Sequence, residues 1–216
     1  MLDFNRRAQK METATFGMGC FWGPESQFGQ YPGVLHTRTG FAGGTTAEPT
    51  YRNMGNHTES IQIAFDPSLL SYEDILRIFW DSHDAVKDRS YKGRQYLSQL
   101  IVHSTEQLES AQKVKSEWEK QNGKRIGTEI HYDLPFYPAE DRHQKYFLKR
   151  FDKAMDTLLP LFPDHTSFVY STITARLNGF VRENGRLSDI KEEMEDWQLN
   201  EDAEAVLRET LQTIRW

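Results

Sequence analysis

Two hydrophobic periodicities alternate along the first two-thirds of this 216-residue chain, and together they restrict it to a sheet covered by helices. TESIQIAFD (58–66) puts Ile61, Ile63 and Phe65 on one face at period two, the pattern of a half-buried strand. SYEDILRIFWDSH (71–83) then switches to helical spacing through Ile75, Ile78 and Phe79, with Ser71 as cap and Glu73 and Asp74 in the first turn. The same reasoning predicts strands at 14–19, 34–42, 99–103 and 125–132, and helices at 104–121 and 138–151. A short helix is predicted over 25–31, with Pro24 as its first helical residue. Strands and helices that interleave in this way give an α+β fold with a mixed or antiparallel sheet.

The pattern changes near residue 161. Residues 183–209 carry ten acidic side chains against three basic ones, which predicts a solvated helical appendage. Ile190, Met194 and Trp197, then Val206, Leu207 and Leu211, supply stripes by which two helices dock on the body. The chain therefore divides into a tail (1–12), a main domain (13–160) and a helical C-terminal extension (161–216). A net charge of −6 without any run of Lys or Arg argues against a nucleic-acid partner. No apolar run approaches the ~20 residues of a membrane span, and the first residues lack the apolar core of a secretory signal. A cytoplasmic protein is expected. The single cysteine excludes a disulfide within this chain.

That cysteine, Cys20, lies in MGCFWGPE between a strand end and a helix start. Glycines at 17, 19 and 23 let the backbone bend and a ligand approach. Free N–H groups of the following helix are expected to favour the thiolate. Phe21 and Trp22 come next, an unusual pair for a surface loop unless their rings line something. A small buried hydrophobe is the competing reading, since free cysteine is among the most buried residue types.

ATFGMGCFWG, GFAGG (40–44), PTYRNMGNHTES (49–60), FDPSLLSYEDILRIFWDSHD (65–84), RQYLSQLIVH (94–103), TEI (128–130) and FYPAEDRHQKY (136–146) resemble, in order, the motifs of the A-class methionine sulfoxide reductases. The resemblance covers roughly residues 13 to 150. It implies a ferredoxin-like two-layer plait with a central mixed sheet, and the reduction of methionine S-sulfoxide, free or in proteins. Cys20 is then the nucleophile and Glu59 the acid, predicted to have a raised pKa. Tyr51 and Tyr96 are phenolic donors to the sulfoxide oxygen, and Phe21 and Trp22 form the apolar cage for the S-methyl group. No cofactor or metal is implied, and a monomer is expected.

Reduction by Cys20 would leave it as a sulfenic acid. Members of the family usually recycle it with further cysteines near the C-terminus, which this chain lacks. An external thiol is therefore expected: glutathione, a glutaredoxin or a thioredoxin-like protein. Two departures stand out. Tyr91 occupies a position where common members carry Asp, and GNHTES replaces the more usual Gly-His-Ala-Glu while keeping the acid.

Other chemistries fit less well. His57-Thr58-Glu59 is a His-x-Glu without the paired cysteines of a zinc deaminase. Glu140 and His143, three apart, lack the second copy that a di-iron bundle needs. A Cys–His hydrolase would leave the Phe-Trp pair unexplained. A non-catalytic module binding oxidised or methionine-rich peptides is the other alternative.

Overall fold

The computed structural model describes residues 2–86 and 93–216. Strand β1 (Glu12–Met18) runs through the middle of a six-stranded sheet. Around it lie β2 (Val34–Ala42), β3 (Thr58–Phe65), β4 (Ser98–Val102), β5 (Glu129–Tyr132) and β6 (Phe136–Pro138), in the order β5-β4-β1-β3-β2-β6. Every neighbouring pair is antiparallel except β4–β5, so the sheet is mixed. The period-two residues Ile61, Ile63 and Phe65 are all buried.

Helix α1 (Trp22–Gly29) follows β1 directly. It starts two residues before Pro24, earlier than predicted. Pro24 is tolerated there because first-turn N–H groups have no partner within the helix, so its missing donor removes no helical bond. Helix α2 (Tyr72–Asp81) is capped by the Ser71 side chain, which accepts from the Asp74 N–H, and packs on α3 (Thr105–Asn122). The α3 ends follow the sequence: Ser104 caps the start, and Gly123 closes the helix in the left-handed region.

Two apolar cores result. The first lies between the sheet and its helices, where the Phe16 ring centroid is 4.7 Å from that of Phe28 and 5.1 Å from that of Phe79. The second gathers α4 (Asp152–Leu158), α5 (His165–Val169), α6 (Thr172–Phe180), α7 (Leu187–Glu193) and α8 (Glu201–Thr213). Ile190, Met194, Trp197, Leu207 and Leu211 are buried in it, and Val206 packs at its edge. Phe4, only 2% exposed, belongs to the same core, and the Arg7 N–H donates to the Trp197 carbonyl at 3.1 Å. The amino-terminal residues thus strap the helices down.

Helix α6 ties the two cores together by packing on α1 and β2. A Cβ on Gly29 would come 2.4 Å from the Ala175 carbonyl oxygen, so only glycine permits this crossing. The predicted helix over 138–151 does not form. Pro138 ends β6, and single turns at Asp141–His143 and Leu148–Arg150 flank an irregular stretch. Gln144 bonds the Thr39 N–H and carbonyl, and the Lys145 N–H donates to Glu25. These partners from β2 and α1 replace helical bonds, and Lys145 takes a φ of 51°.

Candidate active site

Gly19, at φ 107°, turns the chain out of β1 and leaves Cys20 exposed just ahead of α1, whose N-cap is Phe21. Glu59 sits opposite on β3, 1% exposed. Its carboxyl group is gripped from three sides. The Phe21 N–H donates to Oε2 at 3.1 Å, Gln95 Nε2 donates to Oε1 at 2.7 Å, and the Cys20 thiol is hydrogen-bonded to it as well.

Burial pushes the Glu59 pKa up, and these three donors offset only part of the rise. The Cys20 thiol is also pushed up, chiefly by the desolvation of its surroundings, while the Trp22 N–H pulls it down and Glu59 pushes it further up. The expected stabilisation of the thiolate by the helix start is therefore real but outweighed: a single N–H contributes, against burial and a neighbouring carboxylate.

The two predicted tyrosines converge on this pair. Burial raises the pKa of both phenols, and the nearby Glu59 and Cys20 charges add to the rise. Tyr51 is fixed by its own N–H, which donates to the Glu140 carboxylate at 3.2 and 3.3 Å. Tyr96 ends a single turn, Arg94–Tyr96, anchored by Arg94. That guanidinium forms a two-point bridge to Glu129 at 3.1 and 2.7 Å and donates to the Asn56 carbonyl at 3.1 Å. Tyr91 lies outside the described residues.

The aromatic pair separates in depth. Phe21 is buried, with its ring beside Phe41, Tyr51 and His143, whereas Trp22 is half-buried. Trp22 stacks on Tyr146, with centroids 3.7 Å apart and planes 5° apart, and His143 stacks on Tyr51 at 4.4 Å. Sequence reasoning gave no role here to Gln95, Glu140, His143 or Tyr146. Gln95 adjoins a flagged tyrosine, and the other three lie in the FYPAEDRHQKY motif, so position hinted at them without revealing what they touch.

The rejected metal motifs are occupied otherwise. His57 uses Nδ1 to accept from the Gly44 N–H at 3.1 Å and Nε2 to reach the Thr46 carbonyl at 2.8 Å. Glu140 holds Tyr51, and His143 joins the aromatic stack. Cys20 is hydrogen-bonded to a carboxyl group rather than to an imidazole.

Residues 12–166 match the family model described as peptide methionine sulfoxide reductase. The chain belongs to the peptide methionine sulfoxide reductase family. The Drosophila melanogaster peptide methionine sulfoxide reductase is 42% identical over 184 residues, which is 85% of this chain and 73% of that one. The Methanococcoides burtonii reductase MsrA is 42% identical over 149 residues, 64% of this chain and 97% of that one. Among solved structures, methionine sulfoxide reductase A of Corynebacterium diphtheriae superposes with a TM-score of 0.56 at 31% identity, covering 65% of this chain and 76% of that one. Mxr1 from Saccharomyces cerevisiae in an unusual oxidized form gives 0.55 at 28% identity, over 68% and 86%. The family match ends within α5, so most of the second core lies beyond it.

Proposed function

We propose that this peptide methionine sulfoxide reductase family member reduces methionine S-sulfoxide through Cys20, with Glu59 as the proton donor. The observation that carries the proposal is the hydrogen-bonded thiol–carboxyl pair beside two phenols and an aromatic wall. A sulfoxide needs a soft nucleophile at sulfur and a proton at oxygen. Because burial disfavours charge on either partner, ionisation of both at once is disfavoured. Moving the proton from sulfur to carboxylate creates the thiolate and the acid in one step. The thiolate then attacks the sulfoxide sulfur, forming an S–S bond, while Glu59 protonates the oxygen. The hydroxyl passes to the Cys20 sulfur as the S–O and S–S bonds break, so methionine leaves and Cys20 becomes a sulfenic acid.

Tyr51 and Tyr96 stay neutral because their pKa values are raised, so they can donate to the developing negative oxygen. Trp22 and the rings behind it, including Phe21, offer the methyl group an apolar surface. Two external thiols complete the cycle. The first displaces water to form a mixed disulfide with Cys20, and the second releases the Cys20 thiol and leaves with the first as a disulfide. The exposure of Cys20 supports access by a small thiol, a glutaredoxin or a thioredoxin-like protein.

The order β4-β1-β3-β2, with two strand–helix–strand crossings, supports reading the sheet as a ferredoxin-like plait. The catalytic unit is assigned to residues 13–160, with 1–12 and 161–216 packed on it. A cytoplasmic monomer remains the working assignment. Among the described residues no helix is long and apolar enough to cross a membrane.

The test is turnover of an S-sulfoxide amino acid with dithiothreitol. Free methionine should appear with the wild-type protein and not with Cys20→Ser. Methionine production by Cys20→Ser, or none by the wild type, overturns the proposal.

A further inference from the structure

A second group of reactive side chains lies where the irregular 139–149 stretch meets α5. Lys149 Nζ donates to the Asp141 carbonyl at 2.5 Å and lies 2.7 Å from His165 Nε2. His165 Nδ1 is 3.1 Å from Asp141 Oδ1. A carboxylate at Nδ1 holds the imidazole proton there, so Nε2 presents its lone pair to the lysine. Amine, imidazole and carboxylate therefore stand in the order of nucleophile, base and orienting group.

We propose that Lys149 is a second nucleophile on this molecule, an amine that accepts acyl groups from small acyl phosphates. The surroundings favour its free-base form. Burial and the fully buried Lys145 cation bring Lys149 down to about 8, against the opposing pull of Asp141 and Glu25. His165 is lowered too, by burial and by Lys149 and Lys145, with Asp141 and Asp164 opposing.

In the reaction the neutral amine attacks the acyl carbon, a C–N bond forms, the C–O bond to phosphate breaks, and phosphate leaves. The surplus proton on nitrogen passes to His165 Nε2 and then to solvent. No oxidation state changes, and Cys20 takes no part, so the outcome is independent of the sulfoxide chemistry.

The experiment treats the intact protein with limiting acetyl phosphate across about pH 6.5 to 9.5 and measures each lysine by peptide mass spectrometry. Near pH 7.5, Lys149 should react at least about tenfold faster than the exposed Lys124 and Lys153, because its much larger free-base fraction outweighs the weaker nucleophilicity of a less basic amine. Its rate should rise with a midpoint near 8. His165→Gln, which keeps a hydrogen-bonding group but no base, should slow Lys149 several-fold while leaving its midpoint near 8. A wild-type rate no higher than that of Lys124, or a midpoint near the ordinary lysine value of about 10.4, overturns the proposal even if the variant fails to fold. So does a folded His165→Gln variant with undiminished Lys149 labelling.

Discussion

In the proposed mechanism one proton, passed between Cys20 and Glu59, sets the chemistry at the residue scale. With Gln in place of Glu59 the carboxyl group can neither take the thiol proton nor return one to the sulfoxide oxygen. Single-turnover release of methionine should slow by more than about tenfold, and an unchanged rate would remove the residue from the mechanism. The same substitution should stabilise the fold in a pH-dependent way. Because burial raises the Glu59 pKa, the folded protein keeps a proton that the unfolded chain has already lost. Stability is therefore lost as pH rises from the unfolded pKa through the folded one. Glu59→Gln escapes that loss, so its advantage in Tm should be larger near pH 8 than near pH 4. Equal Tm differences at both ends would contradict the burial account.

At the scale of elements, a buried ion pair joins α1 to the stretch that carries His143 and Tyr146. Lys145 Nζ lies 2.9 Å from Glu25 Oε1, and both side chains are fully buried. The Lys145 N–H reaches the other carboxylate oxygen at 2.9 Å, and Nζ donates to the Thr37 carbonyl at 2.5 Å. Replacing Lys145 with Met strands a carboxylate in the core and should destabilise by about 3–5 kcal/mol in urea unfolding. Adding Glu25→Leu should recover most of that loss, because the stranded charge is gone. A double variant no more stable than the single one would mean the pair is not the cause.

The whole molecule is two cores joined through α6. Trp197 is fully buried in the second core, and truncating it to Ala should cost about 3–5 kcal/mol. Since α6 packs on α1 and β2, reductase activity and helix content should fall together in urea; activity that outlasts the helical signal would show the cores to be independent. Regeneration of Cys20 also belongs to this scale, because this chain holds no second cysteine. Turnover should proceed with dithiothreitol and with glutathione plus glutaredoxin. Activity with thioredoxin alone would exclude the small-thiol route.

Local pattern determined a good deal of this protein. The alternation in TESIQIAFD, the Ser71 and Ser104 caps and the Gly123 stop are decided by neighbours within a few residues, and β3, α2 and α3 form where those signals stand. Cys20 and Glu59 stand in short, contiguous motifs, so they can be singled out as candidates from the sequence alone. Tertiary structure decided the rest. The 138–151 segment has helical composition, yet Gln144 and Lys145 find stronger partners on β2 and α1, more than a hundred residues away in sequence. The protonation of the site was likewise hidden. The helix start beside Cys20 suggests a lowered thiol pKa, but burial in the folded site raises it, and the Glu59 carboxyl that β3 brings alongside raises it further. Pair distances and desolvation depend on where distant segments meet, and no local period encodes that.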